Sequence, residues 1–275
     1  MFATCVCCRA TSWQHYCHAA GYELLRCRSC GFVRVDIPEH FDLNSLYGED
    51  YFFGRGFDSS ALIPESRNPG PLMTAKRRYW LRLLSDAIGR PGRLLDVGCG
   101  AGALLDVANE MGWRAEGQDI SAAGAAEAQS RGHRVKVAEL ADCDYRPASF
   151  DAASMIEVIE HLRDPRPTLT ALLKALRPGG WVIITTGDIS SLRARIEGER
   201  WGYIRPPGHV SYFTRPTLAR LLIACGFKQV TNVPTYRLAY PSFPGRNPTE
   251  SPIVKSVALA FRRLTRMEQH FMGMA

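Results

Sequence analysis

Residues 94–105 read Leu-Leu-Asp-Val-Gly-Cys-Gly-Ala-Gly-Ala-Leu-Leu, and no other stretch restricts the fold as strongly. The apolar run at residues 93–97 reads as a short, fully buried strand of the kind a parallel sheet requires. Gly98, Gly100 and Gly102 then predict a turn, and residues 103–111 a helix. A glycine turn between strand and helix lets a ligand come close to the backbone and directs amide N–H groups toward it. Asp119 closes a second strand predicted over residues 113–119, where a carboxylate can accept from both hydroxyls of a ribose.

The glycine spacing by itself admits two ligand classes. Gly98, Gly100 and Ala103 satisfy the Gly-x-Gly-x-x-Ala fingerprint of dinucleotide sites. Asp96 separates the two classes. A carboxylate inside the strand, two residues before the first glycine, repels a pyrophosphate and suits a ligand with a cationic amino-acid end. S-adenosylmethionine has such an end, together with a sulfonium, a ribose and no phosphate.

Later segments agree. Ser149-Phe150-Asp151 opens a strand leading to Glu157-Val158-Ile159-Glu160-His161, and Leu176-Arg177-Pro178-Gly179-Gly180 precedes a strand at residues 181–186. With these four ordered motifs, over about residues 74–235, the chain resembles the class I S-adenosylmethionine-dependent methyltransferases. The resemblance implies a doubly wound, mostly parallel α/β sheet with the ligand outside the carboxyl ends of the strands. It implies a cofactor site at Gly98, Gly100 and Gly102, with Asp96 toward the methionyl ammonium and Asp119 toward the ribose. Asp96 reads equally as a capping carboxylate in the same turn. Glu139, after the third strand, is a candidate for the adenine amino group or a plain surface glutamate. Glu157, where the fourth strand opens onto the cofactor, is expected to act more through its backbone than its carboxylate.

The N-terminus carries a different signal. Six of the nine cysteines lie in the first thirty residues. Cys5-x-x-Cys8 and Cys27-x-x-Cys30 have the spacing of a four-cysteine zinc site, in which each pair lets two thiolates reach one tetrahedral ion. Gly31 supplies a permissive backbone after the second pair, whereas Arg9 stands where glycine is common after the first. Cys7, Cys17 and His18 are alternative ligands. A segment this short needs such a staple to fold. Zn²⁺ here would be structural, since four protein ligands leave no position open. The run from Tyr22 to Val35, followed by Leu46-Tyr-Gly-Glu-Asp-Tyr-Phe, resembles bacterial methyltransferases of natural-product, sugar and envelope pathways that carry a zinc ribbon ahead of the catalytic domain.

The expected organisation is a zinc-ribbon module at residues 1–45, a linker and helical cover at 46–90, a catalytic domain at 91–240, and a C-terminal loop and amphipathic helix at 241–275. Within the cover, residues 54–73 read as linker and 74–88 as a helix burying Trp80, Leu83, Leu84 and Ala87. Helices are also predicted at 165–176 and 214–225, the latter burying Leu218, Leu221, Leu222 and Cys225, and Ser121 is an N-cap. Residues 253–272 read as a packing or homodimer helix, with docking on lipid the minor reading.

Composition excludes some classes. No run approaches eighteen apolar residues and no charged leader precedes an apolar core, so a membrane span or secretion is not expected and the cytoplasm is. The net charge of +7 permits nucleic-acid contact but is dispersed, which favours a solvated basic surface. Methyl transfer from a sulfonium needs in-line positioning and removal of any proton on the acceptor. His161, after the fourth strand, and His209, in Arg205-Pro-Pro-Gly-His-Val-Ser-Tyr-Phe, are the candidate bases. Tyr47, Tyr51 and Trp201 suit a cover or an aromatic acceptor. The favoured function is methylation of an oxygen, nitrogen or carbon of a small-molecule metabolite. An RNA methyltransferase, a donor-binding protein without chemistry and a nicotinamide oxidoreductase follow in that order.

Overall fold

The computed structural model describes residues 4–52, 70–233 and 268–274. Its centre is a seven-stranded sheet built from β4 (Arg93–Val97), β5 (Arg114–Asp119), β6 (Val135–Val137), β7 (Phe150–Ile156), β8 (Leu176–Gly187), β10 (Gln229–Val233) and β11 (Glu268–Met274). Their spatial order is β10-β11-β8-β7-β4-β5-β6. The five strands from β6 to β8 run parallel, while β11 lies antiparallel between β8 and β10. Strands sandwiched on both faces must be apolar throughout, and Leu94, Leu95, Ala152, Ala153, Met155, Val182, Ile183 and Ile184 are all buried.

Short helices make the crossovers: α3 (Ala103–Glu110) after β4, α4 (Ala122–Ser130) after β5 and α5 (Arg166–Ala175) after β7. Ser121 caps α4 by accepting from the Gly124 amide at 3.4 Å. Thr214 and Thr217 form a reciprocal capping box at the start of α7 (Arg215–Ala224), whose Leu218, Leu221 and Leu222 are buried. Cys225 is only half-buried. Upstream, α1 (Glu49–Phe52) precedes α2 (Pro71–Ile88), and α6 (Leu192–Glu197) follows β8. Helix α2 starts three residues earlier than the pattern predicts because proline suits the first helical turn. It buries Trp80, Leu81 and Leu84, and Ala87 faces solvent.

The cysteine-rich segment forms an antiparallel meander of β1 (Trp13–Ala19), β2 (Tyr22–Cys27) and β3 (Val33–Val35). Its fourth strand, β9 (Ser211–Tyr212), comes from the chain that follows β8. Cys5, Val6, Cys27 and Phe32 pack in one apolar cluster with Phe213, Leu218 and residues of the central sheet. The two Cys-x-x-Cys turns are matched. Arg9 N donates to Cys5 O and Gly31 N to Cys27 O, each at 2.9 Å. Arg9 adopts the same left-handed backbone as Gly31, with φ of 63° against 84°. Holding a non-glycine residue there costs about 1–2 kcal/mol, which the turn sustains.

The C-terminus departs from expectation. Residues 268–272, assigned by their periodicity to an amphipathic helix, belong to β11, in the interior of the sheet. The rest of that stretch, residues 253–267, and most of the 54–73 linker lie outside the described residues. Met272 is buried with Trp80 and Ile183, so its side chain serves the core and not a dimer face. No helix among the described residues is long and apolar enough to cross a membrane. Met272→Ala is therefore expected to lower unfolding stability by about 2–5 kcal/mol in urea titration. A change within about 0.5 kcal/mol, typical of a surface site, would contradict the central placement of β11.

Candidate functional site

A cavity of about 560 Å³ opens at the carboxyl ends of β4, β5 and β7. Parallel pairing of β4 with β5 brings their last residues to one edge, so Asp96 and Asp119 both line it. Asp96 is buried and accepts from the Ser154 hydroxyl at 2.7 Å. Burial pushes its carboxyl up to about 7, opposed by the Ser154 hydrogen bond and aided by the charge of Asp119. Asp119 is also raised by burial, against the pull of the amides it binds. One of its oxygens accepts from Gly100 N at 2.7 Å and the other from Ser121 N at 2.8 Å. Each carboxylate oxygen has a second lone pair, so this bonding leaves acceptor capacity on both.

The glycine turn works differently from the expected amide cradle. Gly98 N and Cys99 N both donate to Gln118 O, at 2.8 and 3.0 Å, and Gly102 N donates to Cys99 O at 2.9 Å. With the Gly100 amide on Asp119, four of the turn's donors are spent inside the protein. What the turn provides is bare backbone. Gly98 has a φ of 69°, and a Cβ there would meet Val158 Cγ2 at 2.4 Å. Gly98 and Gly100 line the cavity, whereas Gly102 stands behind it, where a Cβ would press on Ala128 and His133 at 3.0 Å.

Glu139 is exposed, accepts from Asn44 Nδ2 at 3.0 Å and is not part of the cavity wall. Glu157 is in the wall, with its backbone in the left-handed region at a φ of 54°. That conformation is uncommon outside glycine and turns the chain out of β7 toward His161. Its carboxylate accepts from Thr185 Oγ1 at 2.7 Å and from Tyr203 Oη at 2.9 Å.

The opposite wall is aromatic. Trp201 stacks on Tyr203 with centroids 5.2 Å apart, Tyr203 meets His209 at 4.5 Å, and His209 meets His161 edge-on at 4.7 Å. His161 then meets Tyr47 at 5.4 Å, and Tyr47 meets Tyr51 at 5.1 Å. All six rings line the cavity. The His209 Nδ1–H donates to Tyr203 O at 2.8 Å, which makes Nε2 the basic nitrogen of the neutral ring. His161 Nδ1 lies 2.7 Å from Tyr47 Oη and 3.1 Å from Gly208 O. Tyr47 Oη also lies 3.1 Å from Gly208 O. The carbonyl only accepts, so a proton on His161 Nδ1 satisfies the group and again leaves Nε2 basic.

Sequence reading missed Tyr203 and undervalued Glu160. Tyr203 Oη also meets the fully buried Glu160 in a short hydrogen bond, so its single proton lies between the two carboxyls. Burial pushes Glu160 up to about 7, opposed by the Tyr203 hydrogen bond. The Tyr203 ring reaches this position only because residue 187 is glycine; a Cβ there would lie 2.4 Å from the ring. Nothing in the local pattern of residues 198–205 signals that approach, which depends on the chain folding back over β8.

At the N-terminus, the sulfurs of Cys5, Cys8, Cys27 and Cys30 lie within 4.8 Å of one another. The Cys5–Cys30 and Cys8–Cys27 separations are 3.6 Å, and all four are free thiols. A disulfide would need about 2.05 Å. Tetrahedral ligands at about 2.3 Å from one ion stand about 3.8 Å apart, so the sulfurs fit such a centre. Cys7, Cys17 and His18 are not in this group.

Comparison with known proteins gives the family. A family model described as "Methyltransferase domain" matches residues 73–232, more than half of the chain. The chain belongs to this methyltransferase family. Ubiquinone biosynthesis O-methyltransferase of Paraburkholderia phymatum is 36% identical over 153 residues, 51% of this chain and 65% of that protein. The Paracidovorax citrulli protein of the same name is 35% identical over 122 residues, 40% of this chain and 49% of that protein. The chain thus spans about half to two thirds of the length of these relatives. Among solved structures, a SAM-dependent methyltransferase of Archaeoglobus fulgidus aligns with a TM-score of 0.55 at 17% identity, over 78% of this chain and all of that one. The Burkholderia thailandensis 1,6-didemethyltoxoflavin-N1-methyltransferase aligns at 0.54 and 19% identity, over 95% of this chain and 98% of that one. These two likenesses show the class I methyltransferase fold.

The raised carboxyls set a pH dependence for the ligand-free methyltransferase. Asp96 and Glu160 keep their protons up to about pH 7 when folded and lose them in the ordinary carboxylate range when unfolded. Between those values the folded state binds more protons, so stability is full in mild acid and falls as pH rises toward 7. The slope is about 1.4 kcal/mol per pH unit for each such group. Urea midpoints are expected to drop from pH 5 to pH 7.5, and Asp96→Asn to flatten that drop. A midpoint that climbs over this range would contradict the raised carboxyls of Asp96 and Glu160.

Proposed function

We propose that the chain transfers the methyl group of S-adenosylmethionine to an oxygen of a small aromatic acceptor. The observation that carries this reading is the two-sided cavity, with paired buried carboxyls on one side and six aromatic rings, two of them imidazoles, on the other. The carboxyls suit a cationic nucleoside, because burial penalises their charge until a cation arrives. On this reading Asp96 holds the ammonium, Asp119 holds the ribose hydroxyls through its remaining lone pairs, and Gly98 and Gly100 let the ligand lie against bare backbone. Glu157 bounds the same side. Arg77 and Arg205 also line the cavity, but Asp96 and Asp119 at the glycine turn repel a pyrophosphate there, which disfavours a dinucleotide.

Bound sulfonium supplies an already activated methyl group, so the protein's remaining tasks are alignment and proton removal. The acceptor oxygen takes the methyl group as the S–CH3 bond breaks, leaving the thioether S-adenosylhomocysteine, and the O–H proton passes to a histidine. His209 Nε2 and His161 Nε2 are the candidate bases, each held in that tautomer by a hydrogen bond on Nδ1. Rings at Tyr47, Tyr51, Trp201 and Tyr203 favour a planar acceptor. The O-methyltransferase names of the curated relatives agree with oxygen as the nucleophile.

Cys5, Cys8, Cys27 and Cys30 would hold one Zn²⁺, whose contribution is to fold the meander. The purified protein is expected to contain about one zinc per chain by elemental mass spectrometry, and Cys27→Ser to lose it. A zinc-free, fully folded wild type would exclude the assignment.

Calorimetry with S-adenosylhomocysteine and a labelled-methyl assay over simple phenols and catechols test the reaction. Asp119→Ala is expected to weaken binding about tenfold or more, in line with loss of hydrogen bonds to a charged group. His209→Gln is expected to slow transfer by about 10²–10⁴ while leaving binding intact. Wild-type affinity in Asp119→Ala would remove the ribose role, and retention of NAD by the purified protein would overturn the donor.

A further inference from the structure

The meander and the aromatic wall share an apolar cluster, in which Val33, Val35 and Ile37 pack with Trp201, Val210 and Tyr212. Val210 is the junction: its N–H donates to Glu160 O at 2.8 Å, and its carbonyl accepts from Val35 N at 3.0 Å. Val210 therefore touches the loop that carries His161 through its N–H and the strand that leaves the second cysteine turn through its carbonyl. On one flank, β9 continues the ladder, with Val33 opposite Tyr212 and Arg34 opposite Ser211. Tyr212 Oη donates to His209 O at 2.8 Å, and Ser211 Oγ donates to Leu162 O at 2.8 Å. Phe32, next but one after Cys30, rests on Phe213 with centroids 5.1 Å apart.

The grip extends beyond the strand. Arg163, two residues after His161, donates through its two terminal nitrogens to Glu39 O at 2.7 Å and Phe41 O at 2.9 Å. Tyr47, further along the same segment, reaches His161 itself. Residues 33–47 thus hold both stretches that bear the candidate histidines. The start of that segment is fixed by Cys27 N donating to Phe32 O at 2.8 Å, inside the second cysteine turn. Among the described residues, Asp96, Asp119 and the glycine turn bond to Ser154, Ser121 and Gln118 and to no residue of the meander, while Glu157 joins the donor side to the wall through Tyr203.

We infer that the four-cysteine module is a positioning clamp for the acceptor wall, acting through Val33, Val35 and Arg163 on His161 and His209, and is separable from donor binding. The inference rests on the reading of that wall as the acceptor side. The apolar side of the module shares the common core with β4 and β7, whereas the hydrogen bonds of Val35, Tyr47 and Arg163 fall on the stretches that bear the two histidines. Ordering a wall from a short, rigid, metal-closed unit also explains why the meander recruits β9 instead of standing alone: three short strands alone would leave β3 an unpaired edge.

The test uses full-length protein with ¹³C-labelled histidine rings, loaded with zinc, and its resonances assigned by His161→Gln and His209→Gln. His133, bonded to Asp106 at 2.7 Å behind the glycine turn, serves as the donor-side reference. Zinc removal by a chelator is expected to shift or broaden His161 and His209, to leave His133 in place, and to change affinity for S-adenosylhomocysteine by less than about twofold. Unmoved His161 and His209, or His133 moving with them, overturns the clamp. Arg163→Met, with zinc retained, asks the same question without disturbing the cysteines: movement at His161 with His133 fixed is expected, and no movement overturns the inference. Failure of wild type to bind S-adenosylhomocysteine would sink the proposed donor instead, and the resonances would still decide the clamp.

Discussion

Two carboxylates buried side by side at the ends of adjacent parallel strands impose the main condition on this molecule. Water stabilises an ionised carboxylate far better than a protein interior does, so Asp96 and Asp119 are raised until a cation meets them. The sheet topology creates the pair, because parallel strands end together and place their last side chains on one edge. The glycine turn then keeps that edge open. Its amides are consumed in holding Asp119 and the β5 terminus, so the turn is a rigid, side-chain-free floor for the cavity. A folded chain that is weakened by its own site, and relieved by a cationic guest, couples stability to ligand through ordinary linkage.

Across the cavity the physics changes from charge to shape. Six rings in sequence, with centroid separations of 4.5 to 5.4 Å, make a wall whose polar groups are held at their edges. Each histidine has one nitrogen committed to a carbonyl or hydroxyl, which sets the tautomer and points the basic nitrogen elsewhere. The Tyr203 ring of this wall shares a short hydrogen bond with the buried Glu160. The wall is assembled from three distant parts of the chain, residues 47–51, 157–161 and 201–209, and so depends on what fixes them to one another.

That fixing falls to the cysteine-rich meander. It is too small to bury a core of its own, and its Cys5, Cys27 and Phe32 are instead absorbed into the cluster that also holds the central sheet and α7. Strand β9 converts an appendage into a shared layer. A boundary drawn at residue 45 from composition separates the cysteine segment by sequence, while the fold joins it to residues 210–213 by hydrogen bonds and ring packing.

Local pattern was sufficient for the parallel half of the sheet, since buried strands, glycine turns and the helix cap at Ser121 are decided by neighbours in the chain. It was also sufficient for the four-cysteine grouping, because two turns of fixed spacing limit where the sulfurs can go. It failed at the C-terminus, where Met272, expected at the end of an amphipathic helix, lies on β11 in a slot between β8 and β10 that exists only once the sheet has formed. Gly98 and Asp119 were readable as site residues from spacing, but their division of labour was not, because the Gly100 amide had to be seen on the Asp119 carboxylate. Tyr203, Glu160 and the Val210 junction were invisible for a plain reason: each depends on long-range approach across a close-packed interior, where a single absent Cβ at Gly187 decides what can fit.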